Sequence, residues 1–208
     1  MIKAYHLKIL HEALSEKVSK RALEAIGAAN IGQDVIRGQF GHDEYHFDNN
    51  AFAASYAYIE ENRALIRPAL ETGDVDMAWA AFGRLSHTAQ DFYAHSNYLR
   101  LWLAQFDEGN APPVAEVAHA APAFLQHPEL HSGKLYYPLE LFSYIPPLKK
   151  YILPHLPRDS HAWMNLDTPE QGPLFEYAYA AAVKRTNDEW QKTKALLSEE
   201  ESSLFIDQ

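Results

Sequence analysis

The feature that most constrains this chain is the row of His87, Asp91 and His95, which recur at intervals of four residues. Four residues advance an α-helix by about 6 Å and slightly more than one turn, so the three side chains share one helix face. Imidazole and carboxylate groups are common zinc ligands. His87 and His95 lie about 12 Å apart along such a helix, too far for one ion with bonds of about 2 Å. The row therefore predicts a helix that serves at least two metal ions, with Asp91 able to bridge them.

The hydrophobic pattern is helical along the chain, and no stretch alternates as a β-strand does. Because 208 residues can bury one core without cross-links, we expect a single all-α domain spanning residues 1–208. The pattern predicts an irregular stretch over 31–50 and short helices and loops over 127–160. It favours helices at 2–14, 19–29, 51–71, 75–95, 99–106, 112–126 and 175–198. Asp48–Asn50 are the predicted cap of the helix at 51–71, and Ser96 is the predicted cap of the helix at 99–106.

Composition limits the chemistry that is open to this chain. It has no cysteine, so a metal site must use carboxylates and some of the 11 histidines. The net charge of −10 argues against binding long nucleic acids, although clustered zinc ions would form a local positive centre. We find no transmembrane run and no signal peptide, which predicts a cytoplasmic protein. A secreted mature form without its leader would give the same sequence, and the oligomeric state is open.

Further candidate ligands are scattered along the chain. His6 begins the first predicted helix, Asp34 follows the second, His46 lies in a glycine-rich loop and His161 lies close to Asp167. Taken singly, each is better explained as a surface or hydrogen-bonded polar residue. They gain weight as ligands only if the fold brings them to the helix that carries the row.

The segment SHTAQDFYAHSN, residues 86–97, resembles the zinc-dependent phospholipase C and single-strand nuclease superfamily, especially its heterokaryon-incompatibility-C-like bacterial members. The resemblance extends to four other places, which are His6 with Ile9 and Ala13-Leu14, Ala28-Ala29-Asn30 with Asp34, His46-Phe47-Asp48, and His161 with Asn165-Leu166-Asp167. It implies an all-α fold that holds up to three zinc ions and hydrolyses phosphate esters.

The resemblance also implies which residues bind which ion. The first zinc would be held by Asp34, His46, His87 and Asp91, the second by His6 and Asp91, and the third by His95 and His161. Asp34 would in addition act as the catalytic base or orient the attacking water. The Met1 amine is a further candidate ligand. Asn165 stands where the family has a carboxylate, so either Asp167 replaces that ligand or the third site is weak or empty.

These observations lead to a first hypothesis and two alternatives. The first is a phosphodiesterase with two to three zinc ions, acting on a small phosphate ester or a phospholipid headgroup. The second is a non-enzymatic helical protein that keeps a degenerate or structural zinc site. A third, an HD-type phosphohydrolase, rests only on the short pair His42-Asp43.

Overall fold

A computed structural model describes residues 1–35, 41–107, 109–143 and 145–207, so residues 36–40 of the stretch predicted to be irregular lie outside the described residues. Within these ranges the regular secondary structure is helical, which confirms the predicted all-α fold. Twelve α-helices are described, namely α1 Lys3–Leu14, α2 Lys20–Ile31, α3 Asp43–His46, α4 Phe52–Glu71, α5 Val75–His95, α6 Tyr98–Leu103, α7 Pro122–Leu125, α8 Leu139–Ser143, α9 Pro146–Ile152, α10 His161–Met164, α11 Leu174–Lys194 and α12 Glu199–Ile206.

Helix α5 runs through the centre of the fold. Its N-terminus is capped by Asp74, whose carboxylate accepts from the backbone N–H of Met77 at 3.0 Å. Helices α2, α4 and α11 pack around it, and every residue from Leu85 to His95 is buried. A helix that is buried on all sides cannot solvate its polar side chains, so those side chains must find partners inside the protein.

Gly83 allows α2 to pack closely against α5. A Cβ atom at Gly83 would lie only 2.4 Å from the carbonyl oxygen of Ile26 and 2.8 Å from the Cβ of Ala29. Both neighbours belong to a helix that would have to move. The absence of a side chain at this position therefore brings the C-terminal turn of α2 close to the middle of α5.

Several predicted helix ends are wrong, because nearby polar groups found other partners. Asp48–Asn50 form a 3₁₀ turn instead of capping α4. The hydroxyl of Ser96 donates to the Phe92 carbonyl, and Asn97 takes the N-cap position of α6. The predicted final helix over 175–198 ends early, at Lys194, and Ser198 forms a capping box with Glu201 that begins α12, a helix that the pattern did not predict. The predicted helix over 112–126 is reduced to a 3₁₀ turn, Val114–Glu116, and α7.

The loop of residues 131–135 is hydrogen-bonded both to the C-terminal end of α5 and to the start of α10. The backbone N–H of Gly133 donates to the His95 carbonyl, and that of His161 donates to the Lys134 carbonyl, both at 2.9 Å. A Cβ atom at Gly133 would lie 2.6 Å from the Cα of His161, so a larger residue would separate the two segments. This close approach sets His161 beside His95.

Part of the apolar core packs against the N-terminal half of α5. Trp79 and Phe82 of α5 are fully buried, and the ring of Phe82 meets Trp190 of α11 and Phe205 of α12 edge-on. None of the helices in the described part of the chain is both long enough and apolar enough to span a membrane.

Candidate metal centre

Every residue proposed as a ligand from the sequence comes to one region at the C-terminal half of α5. We call this group, with Asp48 added from the structure, the metal-ligand cluster: Asp34, Asp48, Asp91, Asp167, His6, His46, His87, His95 and His161. Helices α1, α3, α5 and α10 supply the five imidazoles, and three of the carboxylates come from turns or loops next to helix ends. The fold therefore brings the scattered candidates to the row on α5.

The Asp91 carboxylate is the centre of this cluster. Its Oδ2 lies 3.0 Å from Nδ1 of His46 and 3.1 Å from Nε2 of His87. Its Oδ1 lies 3.2 Å from Nε2 of His6 and 2.5 Å from the Met1 amine. Atoms that share one tetrahedral zinc ion, with bonds of about 2.0–2.2 Å, stand about 3.3–3.6 Å apart. The two oxygens thus face separate sets of nitrogen atoms at nearly the spacing that a bridging carboxylate requires.

Within the cluster three groups have all of their ligand atoms within 4.8 Å of one another; His87 belongs to two of them and Asp167 to none. These groups are His6 with Asp34 and His87, His46 with His87 and Asp91, and Asp48 with His95 and His161. His6 lies with Asp34 and His87 here, and its Nε2 also lies close to Asp91, the residue with which the resemblance placed it. All three groups are built only from donors that zinc accepts.

Asp48 is the one carboxylate of the cluster that sequence reasoning missed. Its Oδ1 lies 2.9 Å from Nδ1 of His161 and 3.4 Å from Nδ1 of His95. Phe47 adopts the left-handed conformation, with φ of 57°, and so turns the chain between His46 and Asp48. Such a φ is uncommon for a bulky residue and is typical of sites where position matters more than local strain. The only sequence signal was the spacing of a carboxylate two residues after a histidine.

Asn165 does not face the cluster. Its side-chain amide donates to the His161 carbonyl at 2.9 Å, and its Oδ1 accepts from Gln171 at 2.8 Å. Asp167 does face the cluster, with Oδ1 3.2 Å from Nε2 of His95 and 3.1 Å from the Met1 amine. The carboxylate that Asn165 lacks is thus available from Asp167 and Asp48.

A hydrogen-bond network orients the ring of His6. Thr186 donates to the Ala182 carbonyl, so its Oγ1 accepts from the Gln90 amide at 3.1 Å. Gln90 must therefore point its Oε1 at Nδ1 of His6, 2.6 Å away, and this nitrogen donates. The other ring nitrogen of His6, Nε2, faces Oδ1 of Asp91 at 3.2 Å. Buried acceptors of this kind commonly orient metal-binding imidazoles.

Four polar atoms of the cluster are buried without a hydrogen-bond partner among the described residues: Nε2 of His6, Nε2 of His46, Nδ1 of His87 and Oδ2 of Asp34. Unsatisfied buried polar atoms are rare, since each costs about 1–3 kcal/mol. Their concentration at one place fits a site that binds cations.

The charges of the cluster influence one another strongly. Burial favours the neutral form of Asp91, but the Met1 ammonium and the surrounding imidazoles outweigh it and hold the pKa of Asp91 well below its usual range. Burial and then the nearby His6 ring lower the pKa of His87 well below its usual value, which keeps it in the neutral form that metals bind. Burial and the charge of Asp91 raise the pKa of the Asp34 carboxyl.

A cavity of about 420 Å³ reaches the cluster. The cluster residues on its wall are Asp34, His46, Asp48, His95, His161 and Asp167. Its apolar part is formed by Ile2, Leu135, Tyr137 and Leu141, and Met1 and Lys3 line it as well. Tyr137 is 46% exposed, whereas Tyr93 and Tyr98 are fully buried and pack in the core.

The pair His42-Asp43 belongs to none of the three ligand groups, and the His42 ring stacks on Tyr45.

Comparison with known families assigns this chain. The family model of the VWA7 N-terminal domain matches residues 2–121, more than half of the chain. The chain therefore belongs to the VWA7 N-terminal domain family. No curated protein and no solved structure matches it.

The family match corrects the resemblance stated from the sequence. The chain was expected to belong to the zinc-dependent phospholipase C and single-strand nuclease superfamily, and that expectation is wrong. The quoted residues are short patterns, and any helix that presents ligands on one face will show a histidine or carboxylate every four residues, as the row on α5 does. Such a pattern indicates a kind of site without identifying a family.

Proposed function

We propose that this chain binds two to three divalent metal ions, zinc by its ligand chemistry, and hydrolyses a phosphate ester. One observation carries the proposal: five imidazoles and four carboxylates converge from distant segments, and several of their atoms lack a hydrogen-bond partner in the described part of the chain. Oxygen and imidazole ligands without thiolates suit zinc as well as other first-row ions, so zinc is the first ion to test.

The cavity favours a catalytic site over a structural one. Structural zinc sites are closed by four protein ligands, whereas catalytic sites keep a position open to substrate. Here Asp34, His46 and His95 belong to the ligand groups and also line the cavity. A substrate entering this cavity would therefore meet the ligand atoms directly.

The chain's own groups would divide the work of hydrolysis. When bound, zinc ions lower the pKa of a water molecule to about 7 and polarise phosphoryl oxygens. Asp34 is suited to accept the proton of that water, because its carboxylate lines the cavity beside the other ligand atoms. Asp91 holds neighbouring imidazoles from both of its oxygens, and the Gln90 amide keeps Nε2 of His6 free for a metal.

The size and lining of the cavity limit the substrate to a small phosphate ester or one esterified group of a larger molecule. A volume of about 420 Å³ is within the range of small-molecule sites. The apolar wall beside the polar floor suits an ester with an organic substituent. A phospholipid headgroup remains one candidate of this kind.

The test is elemental analysis of protein purified without chelators, followed by an assay with bis(p-nitrophenyl) phosphate as a generic diester. Two or three zinc ions per chain, with hydrolysis that a chelator abolishes and added zinc restores, would support the proposal. One tightly held zinc, loss of folding on chelation and no hydrolysis would favour the alternative of a structural zinc protein. No bound metal, even after zinc is added back, would contradict both.

A further inference from the structure

A second cavity, of about 470 Å³, lies between α6, the loop of residues 131–135 and α10. Its lining residues are Asn97, Arg100, His131, Arg158, Asp159, Trp163 and Met164. The metal-ligand cavity uses the same loop through Leu135 and the same helix through His161, yet the two cavities have no lining residue in common. We call this second cavity the arginine cavity.

The two arginines of this cavity are unlike the others that the structure describes. Neither Arg100 nor Arg158 has a carboxylate within 4.0 Å or a side-chain hydrogen bond among the described residues. The remaining described arginines all have such partners: Arg21 with Asp76 and Asp207, Arg63 with Glu60 and Glu189, Arg67 with Glu71 and Glu201, Arg84 with Asn62, and Arg185 with Glu189. In a chain of net charge −10, both unpaired guanidinium groups line one cavity.

The acidic residue of the cavity does not neutralise these arginines. Oδ2 of Asp159 accepts from the Lys134 ammonium and Oδ1 accepts from the Tyr136 hydroxyl, each at 2.8 Å. The Lys134 and Tyr136 hydrogen bonds hold the pKa of Asp159 below its usual range. Both oxygens thus have partners other than the two arginines, whose donors stay available to a ligand.

Trp163 holds one guanidinium group in place. The guanidinium carbon of Arg158 lies 3.8 Å from the centre of the Trp163 ring, and the indole N–H donates to the Leu153 carbonyl at 3.0 Å. Stacking on an aromatic face leaves the edge of the planar guanidinium free to donate two parallel hydrogen bonds. An ordered fork of this kind loses little entropy when it binds a carboxylate or phosphate.

We propose that the arginine cavity binds a small oxyanion, a phosphate or carboxylate group, between the guanidinium groups of Arg100 and Arg158. The site is separate from the metal-ligand cluster and does not depend on the proposed hydrolysis. Because α10 carries both His161 and Trp163, an anion bound here would contact the same short helix that supplies a ligand to the cluster.

The experiment titrates the full chain with inorganic phosphate and, separately, with acetate, following heat and tryptophan fluorescence. Trp79, Trp102 and Trp190 are buried in the core, so a change in fluorescence on anion binding belongs to the half-buried Trp163. We expect saturable binding of at least one anion, weakened at least tenfold in the double variant R100Q/R158Q. Arg67→Gln, which removes an exposed arginine paired with acids, is the matched control and should bind as the unchanged protein does.

The outcomes separate the two sites and the two ligands. Phosphate binding that the double variant weakens assigns a phosphate site, and acetate binding alone, weakened in the same way, assigns a carboxylate site. Trp163→Phe should abolish the fluorescence response. Binding that the double variant retains in full would locate the anion elsewhere and would overturn the proposal. Absence of saturable binding by both anions would overturn it as well, whatever the metal content.

Discussion

Two buried carboxylates of this fold have opposite surroundings. The side chains of Asp91 and Glu189 are 1% and 0% exposed, so each must be compensated inside the protein. The Glu189 cluster consists of that carboxylate with Arg63, Arg185 and Lys192, whose cations contact both of its oxygens. Asp91 is surrounded by imidazoles and an amine instead.

The two sites differ in whether the partners of the carboxylate can lose a proton. Arginine stays protonated in proteins, so the Glu189 cluster is neutralised permanently by its own residues. Imidazoles and amines can lose a proton and offer a lone pair, so the partners of Asp91 can exchange protons for a metal ion. We infer that a buried charge held by permanent cations serves stability, and one held by exchangeable donors serves binding. Each prediction below tests one side of this contrast.

The largest effect is expected for Asp91→Asn. Loss of the central carboxylate removes a bridging ligand, so bound metal should fall by at least one ion per chain and diester hydrolysis should fall to the background rate. Elemental analysis and the diester assay measure both. Asp188→Asn, the same change at a partly exposed residue that pairs with His119, is the control and should alter neither. An Asp91→Asn protein with unchanged turnover would contradict the proposed function.

Glu189→Gln should cost the most stability. It leaves Arg63 and Arg185 buried against a neutral group, and breaking a buried pair typically lowers the free energy of unfolding by about 3–5 kcal/mol. Urea denaturation measures the change, while metal content should be unaltered. Glu24→Gln, in an exposed pair with Lys20, should change stability by less than about 1 kcal/mol. Equal effects from the two variants would remove the structural role assigned to Glu189.

The effect of Glu189→Gln on stability should also depend on pH. Burial opposes ionisation of Glu189, but Arg185, Arg63 and Lys192 outweigh it and hold its pKa below the usual value of 4.5. A carboxyl group with a depressed folded-state pKa stabilises the protein above its unfolded-state pKa and loses that contribution as pH falls through the folded-state value. The difference in unfolding free energy between the unchanged protein and Glu189→Gln should therefore shrink below about pH 4.5. A constant difference down to the acid transition would contradict this assignment.

Gln90→Leu should have an intermediate effect, confined to metal binding. It removes the acceptor that orients His6, and loss of such a partner commonly weakens metal affinity by about 10–100-fold. Competition with a zinc chelator measures the affinity. Gln90→Glu retains an acceptor and should bind metal more tightly than Gln90→Leu. Thr193→Val, a buried change on α11 outside the cluster, should leave affinity unchanged.

The smallest effect is expected for Lys192→Met. The Lys192 ammonium contacts Oε1 of Glu189 at 3.1 Å, but its side chain is 52% exposed, so water already solvates the charge. Exposed pairs contribute about 0–1 kcal/mol, and denaturation should show a loss within that range. A loss as large as that of Glu189→Gln would mean that all three cations are required equally.

The parts of the site that could be predicted are those set by local geometry. The helical repeat placed His87, Asp91 and His95 on one face of α5 because rise and turn per residue are constant. Asp48 could not be predicted, since its direction depends on the left-handed conformation of Phe47. Nor could the orientation of Asn165, which follows from its bond to Gln171. Residues 63 and 189 form an ion pair across 126 positions with no local signal.

By itself the sequence determined the helical fold class, the ligand row on α5 and the absence of thiolate chemistry, because each depends on composition or on a fixed local period. The tertiary structure decided which distant residues meet that row, through Gly83 bringing α2 to α5 and Gly133 bringing α10 to the end of α5. It also brought Arg100 and Arg158 into one cavity whose acidic residue, Asp159, is bonded to Lys134 and Tyr136 instead. Contacts of this kind depend on how helices pack around α5, and packing leaves no periodic signal in the chain.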